Sequence, residues 1–210
     1  RAEAILWWAS DSSVPPLATS SPIGTPSGDI GVLGQPTTSV ISSDSLFDDM
    51  RAGGRIRFGN WPRCGLGWDA SGWILGNLQD EQVWESDGNP ALARPFNNVD
   101  PDPGRNGADA QIIAEDGVLS GRLAIHSSSE IYGGDAGLRK NLYCCSNPGS
   151  GYSYRVDSIL GYRYFRVREG LRIEENLLAT STSGPVVAGT TIDLFDDFQT
   201  RNEFHGANLG

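Results

Sequence analysis

Polar and apolar side chains alternate between Gly151 and Gly170, where the chain reads GYSYRVDSILGYRYFRVREG. Counted in twos, Tyr152, Tyr154, Val156, Ser158, Leu160, Tyr162 and Tyr164 share one face; Arg155, Asp157, Gly161 and Arg163 share the other, with Ile159 and Phe165 as apolar exceptions. A period of two is that of a β-strand, whose successive side chains point to opposite sides of its sheet. One face therefore meets an apolar environment and the other a wet one. Two all-β arrangements supply this. In a soluble sandwich the apolar face meets a second sheet; in an outer-membrane barrel it meets lipid, and tyrosines collect at the interfaces.

Five more strands are predicted by the same criterion. The first covers 1–9, with Glu3 opposite Ala2, Ala4, Leu6 and Trp8, and the second covers 51–61, with Arg55 and Arg57 opposite Ile56 and Phe58. The third, at 67–77, sets Trp68, Ala70, Gly72 and Ile74 against Asp69, Ser71, Trp73 and Leu75. A fourth spans 118–143, longer than a bilayer crossing needs, and on its later half Tyr132, Gly134, Ala136, Leu138 and Leu142 oppose Asp135, Arg139 and Asn141; the stretch 151–170 is the fifth and 190 to about 209 the sixth. Between them, long loops are predicted at 10–50, 78–118 and 171–189 and short turns at 62–66 and 144–151, with extra strand turns at Gln82–Glu85 and Ala110–Ala114. Long and short connections alternate. In an up-and-down barrel, alternate connections lie at the same end, and outer-membrane barrels carry long loops at one end and short turns at the other. Loops beyond about 15 residues are unusual inside a compact soluble domain.

With 27 glycines, 12 prolines and one methionine in 210 residues, the composition fits a single β-rich, loop-rich domain. A formal net charge of −10 argues against a nucleic-acid partner. No run of eighteen apolar residues exists, so no transmembrane helix is predicted; barrel strands, apolar only at every second position, escape that criterion. The charged-then-apolar pattern of a leader is missing before Trp7, which reads as a processed or cytosolic chain. The cysteines Cys64, Cys144 and Cys145 have no zinc spacing, and neither His126 nor His205 is near one in sequence. The alternation of connections brings all three cysteines to the same end. A disulfide from Cys64 to Cys144 or Cys145 and free thiols both remain open.

No catalytic constellation is predicted. His126 precedes Ser127, Ser128 and Ser129, but adjacency in sequence is not a triad, and no strand-to-helix nucleophile elbow is present. Gly53-Gly54 and Gly133-Gly134 lack the lysine and helix of a phosphate loop. Asp100, Asp102 and Asn106 place oxygen ligands at alternate positions as calcium sites do, yet Pro101 and Pro103 stiffen the segment and Gln111 stands where a bidentate glutamate is wanted, so a solvated turn is the preferred reading. No metal or other cofactor is expected. The remaining candidate site is the polar face: Arg55, Arg57, Asp69, Asp135, Arg139, Arg155, Asp157, Arg163, Arg201 and Glu203. In a barrel these line the lumen, either as a lattice of salt bridges or as a charge filter. Trp8, Phe58, Trp68, Tyr132, Tyr154, Tyr162 and Tyr164 are the candidates for the lipid-facing surface and its aromatic belt.

Short words along the whole chain carry a resemblance. They begin with Arg1-Ala2-Glu3 before Leu6-Trp7-Trp8, Pro16-Leu17-Ala18-Thr19, Gly31-Val32-Leu33-Gly34-Gln35-Pro36 before Thr37-Thr38, and Arg51-Ala52-Gly53-Gly54-Arg55. They continue with Ala93-Arg94-Pro95-Phe96, Val156-Asp157 leading to Gly161-Tyr162-Arg163, and Glu169-Gly170-Leu171. The last are Thr191-Ile192-Asp193, Phe195-Asp196, and Arg201-Asn202 before Phe204-His205-Gly206. In this order they resemble the putative β-barrel porin family, type 7, of planctomycete-type bacteria. The resemblance implies an antiparallel up-and-down barrel of outer-membrane type, acting in the envelope as a porin-like or structural protein without catalysis. Its partners would be the outer-membrane bilayer, small solutes and copies of itself. Ala4 departs from the family's aromatic at that place, and Asn208-Leu209-Gly210 lacks the terminal aromatic of a finished barrel strand. Six strands also fall short of the about eight of the smallest membrane barrel, so the barrel is expected to be incomplete in this chain. The alternative is a secreted or cell-surface β-rich protein that self-assembles through its unpaired sheet edges.

Overall fold

The computed structural model describes residues 1–8, 12–42, 45–47, 49–61, 65–100, 106–146, 153–182 and 186–210. Along the chain the strands are β1 (Ala2–Trp7), β2 (Ser12–Ser13), β3 (Thr19–Ser21), β4 (Ser39–Val40), β5 (Ser45–Leu46), β6 (Arg51–Asn60) and β7 (Leu66–Leu75). They continue with β8 (Leu78–Ser86), β9 (Ala91–Asn98), β10 (Gly107–Ala114), β11 (Leu119–Ser146), β12 (Ser153–Ala179) and β13 (Thr191–Leu209). The protein is all-β and antiparallel, with no helix among the described residues. The six strands expected from alternation form the main sheet in the order β1-β6-β7-β11-β12-β13, each beside its predecessor in that series. The sheet does not close: β1 and β13 are its edges.

β11 and β12 have 28 and 27 residues, far longer than the about 10 needed to cross a bilayer. Each has a proximal half, at the level of β7, and a distal half. β8 resumes the line of β7: Lys140 back to Tyr132 of β11 pairs with Leu66–Ile74, and Ser129 back to Gly121 pairs with Leu78–Ser86. Of the stretch expected as a loop at 78–118, β8 is therefore main sheet, and β9 and β10 build a second sheet with β3 and β4. The expected loop at 171–189 begins inside β12, which runs to Ala179 and leaves 180–190 as the connection to β13. The extra strand turns anticipated at Gln82–Glu85 and Ala110–Ala114 lie in β8 and β10.

The second sheet covers one face of the distal half. Leu92, Ile113 and Ala114 from it, with Ala18, meet Leu123, Ile125, Ile173 and Leu177 in the main core, flanked by Trp84. Gly121 permits this approach, because a Cβ there would lie 2.2 Å from the carbonyl oxygen of Ile113. On the other side of the second sheet, Ile30 packs on Ala91 and Ala93. The stretch 10–50, expected as a loop, does this through successive tight turns, Asp29 N–H donating to Pro26 O, Val32 to Asp29 O and Gln35 to Val32 O. Proline, glycine and serine favour such turns over strand. Buried Thr19 ties the layers together by hydroxyl contacts to the carbonyls of Gly31 and Ala93 at 3.0 and 3.2 Å.

Candidate functional site

Register assigns each predicted residue to a face. Ala136 lies opposite Ala70 and Tyr162, Leu138 opposite Trp68 and Leu160, Ala70 opposite Phe58, and Leu160 opposite Leu209. These side chains cover one face of the proximal half. The large ones are exposed, from Trp68 at 50% to Leu209 at 73%. Tyr132, Tyr154, Tyr162 and Tyr164 share this face by the same register. Trp8 lies past the end of β1.

Just beyond the apolar stretch the same face turns polar. Tyr162 bonds to His205, the Tyr164 hydroxyl donates to Glu203 at 2.9 Å, and Arg166 donates to the Tyr132 hydroxyl at 2.8 Å. Further out come Arg168 and Arg201, directly opposite each other, then Arg172, Glu174 and His126. The Glu174 carboxyl sits below the usual range because Arg172 donates to it. Arg201 and Glu203, expected with Arg163, thus lie on the aromatic face. The pairing of Phe165 with Phe204 decides this: it puts the even positions of β13 opposite the odd positions of β12.

The opposite face of the proximal half holds the other predicted polar residues: Arg55, Arg57, Asp69, Asp135, Arg139, Arg155, Asp157 and Arg163. Three ion pairs bind them across strands or along one. Arg55 meets Asp135 at 3.2 Å and both contact the Ser71 hydroxyl; Arg139 meets Asp69 at 2.8 Å; Arg155 meets Asp157 at 2.7 Å, with Asn141 donating to the same carboxylate. Arg57 and Arg163 have no ion-pair partner among the described residues.

Above this lattice lies a row of aromatics that alternation along single strands does not reveal. Trp73, Gly133, Phe165 and Phe204 are directly opposite one another across four strands, and Trp7 stacks on Trp73. Ring centroids are 6.5, 5.7 and 5.6 Å apart for the pairs Trp7/Trp73, Trp73/Phe165 and Phe165/Phe204. Gly133 makes the row continuous, since the Trp73 indole lies 2.9 Å from where its Cβ would be. Phe165 and Trp73 were legible only as apolar residues in a polar phase. A cleft of about 470 Å³ opens where the row meets the lattice, lined by Trp7, Trp73, Phe165, Arg55, Asp135 and Arg163.

In the distal half this face becomes the covered core and contains one buried acid. Glu175, 2% exposed, lies beside Arg94 at 2.8 Å and accepts from Gln111 Nε2 at 2.7 Å, while Arg94 also reaches Asp196. The Arg94 contact is ionic rather than a directed hydrogen bond. Burial raises the Glu175 carboxyl above its usual range, and Arg94 offsets part of that. Among the described residues no three His, Cys, Asp or Glu side chains converge as a metal site, and residues 101–105, which include Asp102, lie outside the description. Cys144 is an exposed free thiol; Cys64 and the side chain of Cys145 lie outside the description.

No curated protein and no solved structure matches the chain. The model of one protein family does match it, over residues 1–210, and on that whole-length match the chain belongs to the family described as putative beta barrel porin-7 (BBP7).

Proposed function

We propose that the protein is part of an outer-membrane β-barrel, acting as a porin-like, non-catalytic envelope protein whose apolar face meets lipid and whose polar face lines the lumen. One observation carries this reading: both faces of the same continuous strands exchange character along their length. Proximally the exposed face is apolar and the opposite face charged. Beyond Tyr132, Tyr164 and His205 the exposed face is charged, and the opposite face passes through the aromatic row and a zone with buried Arg51, Ser127 and Ser129 into a buried apolar core around Leu123, Ile125, Ile173 and Leu177. A sandwich in water would not leave Leu138, Leu160 and Trp68 exposed in one continuous patch. Lipid accounts for the patch, and water beyond a belt of Tyr and His accounts for the charges. The apolar stretch of β7 runs from Leu66 to Ile74. At about 3.4 Å per residue and a tilt of about 40°, it projects to about 21 Å, near the roughly 25 Å apolar band of such barrels. In this reading the edges at β1 and β13 continue into further strands, from the same protein or from other copies.

The test is a pair of charge insertions on one face. Leu138→Arg, in the apolar stretch, should destabilise the bilayer-inserted protein by about 2–4 kcal/mol. Ser128→Arg, in the polar stretch, should stay within about 0.5 kcal/mol. Equal effects, together with water-soluble polymers formed without detergent, would transfer the assignment to edge-to-edge self-assembly, which the 19-residue unpaired edge of β13 would support.

A further inference from the structure

We infer that the polar face is an anion path, with Arg57 and Arg163 as its selecting charges; the inference rests on the pore reading above. The chain as a whole carries a net charge of −10. At the level of the apolar band the balance on the polar face is reversed. Arg55, Arg57, Arg139, Arg155 and Arg163 face Asp69, Asp135 and Asp157, and the Arg1–Glu3 pair beside them adds nothing. Each aspartate is held by one arginine, so the pairs Arg55–Asp135, Arg139–Asp69 and Arg155–Asp157 cancel. Among the described residues, Arg57 and Arg163 remain as the uncompensated charges.

Their settings suit different tasks. Arg163 is exposed and lines the cleft of about 470 Å³ beneath Trp73 and Phe165, where an anion can reach it. The guanidinium offers a planar fork of donors that matches a carboxylate. Arg57 is half-buried, and its Nε is screened from water with no hydrogen-bond partner, an arrangement that favours a nearby negative charge. The aromatic row borders the lattice and places low-polarity surface beside Arg163. Such walls concentrate a field that water would otherwise screen. Paired charges contribute little because opposite signs cancel within a few ångströms, so selectivity follows the two unpaired arginines.

The experiment is a reversal-potential measurement on the protein from its native envelope, in a planar bilayer under a potassium chloride gradient. Chloride should permeate in preference to potassium by about tenfold, the low end of the enrichment given by a cleft of one sign. The double variant Arg57→Gln/Arg163→Gln, which leaves the three pairs and the net balance at zero, should bring the ratio close to one. Arg163→Lys, which keeps the charge, should preserve it. A cation-preferring or unselective parent overturns the inference, as does a double variant that retains the parent's ratio while still conducting. Absence of conductance in the parent overturns the pore reading itself, and is distinguishable because no ratio is then obtained.

Discussion

Removing Arg94 should detach the second sheet from the main one in a way that depends on pH. Arg94 on β9 is the cationic neighbour of buried Glu175 on β12, in the distal half and outside the apolar band. Breaking a buried pair by removing one partner costs about 3–5 kcal/mol, because the remaining charge is left uncompensated. Glu175 can instead take up a proton. Holding a glutamate with an ordinary pKa of about 4.3 protonated at pH 7 costs about 3.7 kcal/mol, which caps the penalty. Gln111 keeps its bond to the other carboxylate oxygen, and Asp196, 44% exposed, loses little. The expected loss in Arg94→Ala is about 3 kcal/mol at pH 7. At 1.36 kcal/mol per tenfold, amides of Ala91–Asn98 and Gly107–Ala114 should exchange with solvent about 150-fold faster.

The sign with pH follows from the raised folded-state pKa of Glu175. Between the ordinary value and the folded one, the native state binds the proton more readily, so stability falls as pH rises through that window. Arg94→Ala raises the folded value further and extends the fall toward neutrality. The deficit should therefore be full at pH 7 and shrink to below about 1 kcal/mol near pH 4.5, after correction for intrinsic exchange. Adding Glu175→Gln should remove most of the pH dependence. Protection in Arg94→Ala equal to that of the parent at pH 7, or a deficit unchanged at pH 4.5, would rule out a buried Arg94–Glu175 pair as the tie between the sheets.

Leu123, fully buried under the second sheet, should cost about 2–5 kcal/mol when changed to Ala, read as loss of exchange protection in β10 and the distal half of β11. Gly133→Val should lower the temperature at which the compact electrophoretic band converts to the unfolded one, by an amount corresponding to about 1–3 kcal/mol. The new Cβ would sit 2.7 Å from the Tyr164 carbonyl oxygen and 2.9 Å from the Trp73 ring. Gly72→Ala, which meets nothing within 4 Å, should leave that temperature nearly unchanged.

Much of this architecture is legible from alternation alone. The faces of Tyr154 to Tyr164 against Arg155 to Arg163, and of Trp68 to Ile74 against Asp69 to Leu75, are those of the structure. Local geometry explains why: side chains on a strand alternate whatever the strand meets. Phe165 and Trp73 stood out only as exceptions, because the partner that makes them a row, Gly133, is remote in sequence and is recognisable only once the strands are in register. The expected loops failed for a related reason. The distal half of β12 carries Arg172, Glu174 and Asn176 on one side and Leu171, Ile173 and Leu177 on the other, in the phase opposite to the proximal strands, and β8 mixes polar and apolar residues on both sides. A reader following a single phase takes that reversal as the end of the strand.

A backbone period of two is enough to mark the chain as all-β, to place the proximal parts of its six main strands and to show which of their residues share a side. What each side meets depends on the folded chain. The second sheet folds back over the distal half, buries Leu123 and Ile173 there and leaves the proximal face of Leu138 and Leu160 uncovered. It also set the register of β13, which moves Arg201 and Glu203 from the polar lattice to the aromatic face. Burial and register depend on contacts between residues far apart in the chain, and a period of two carries no record of what lies opposite.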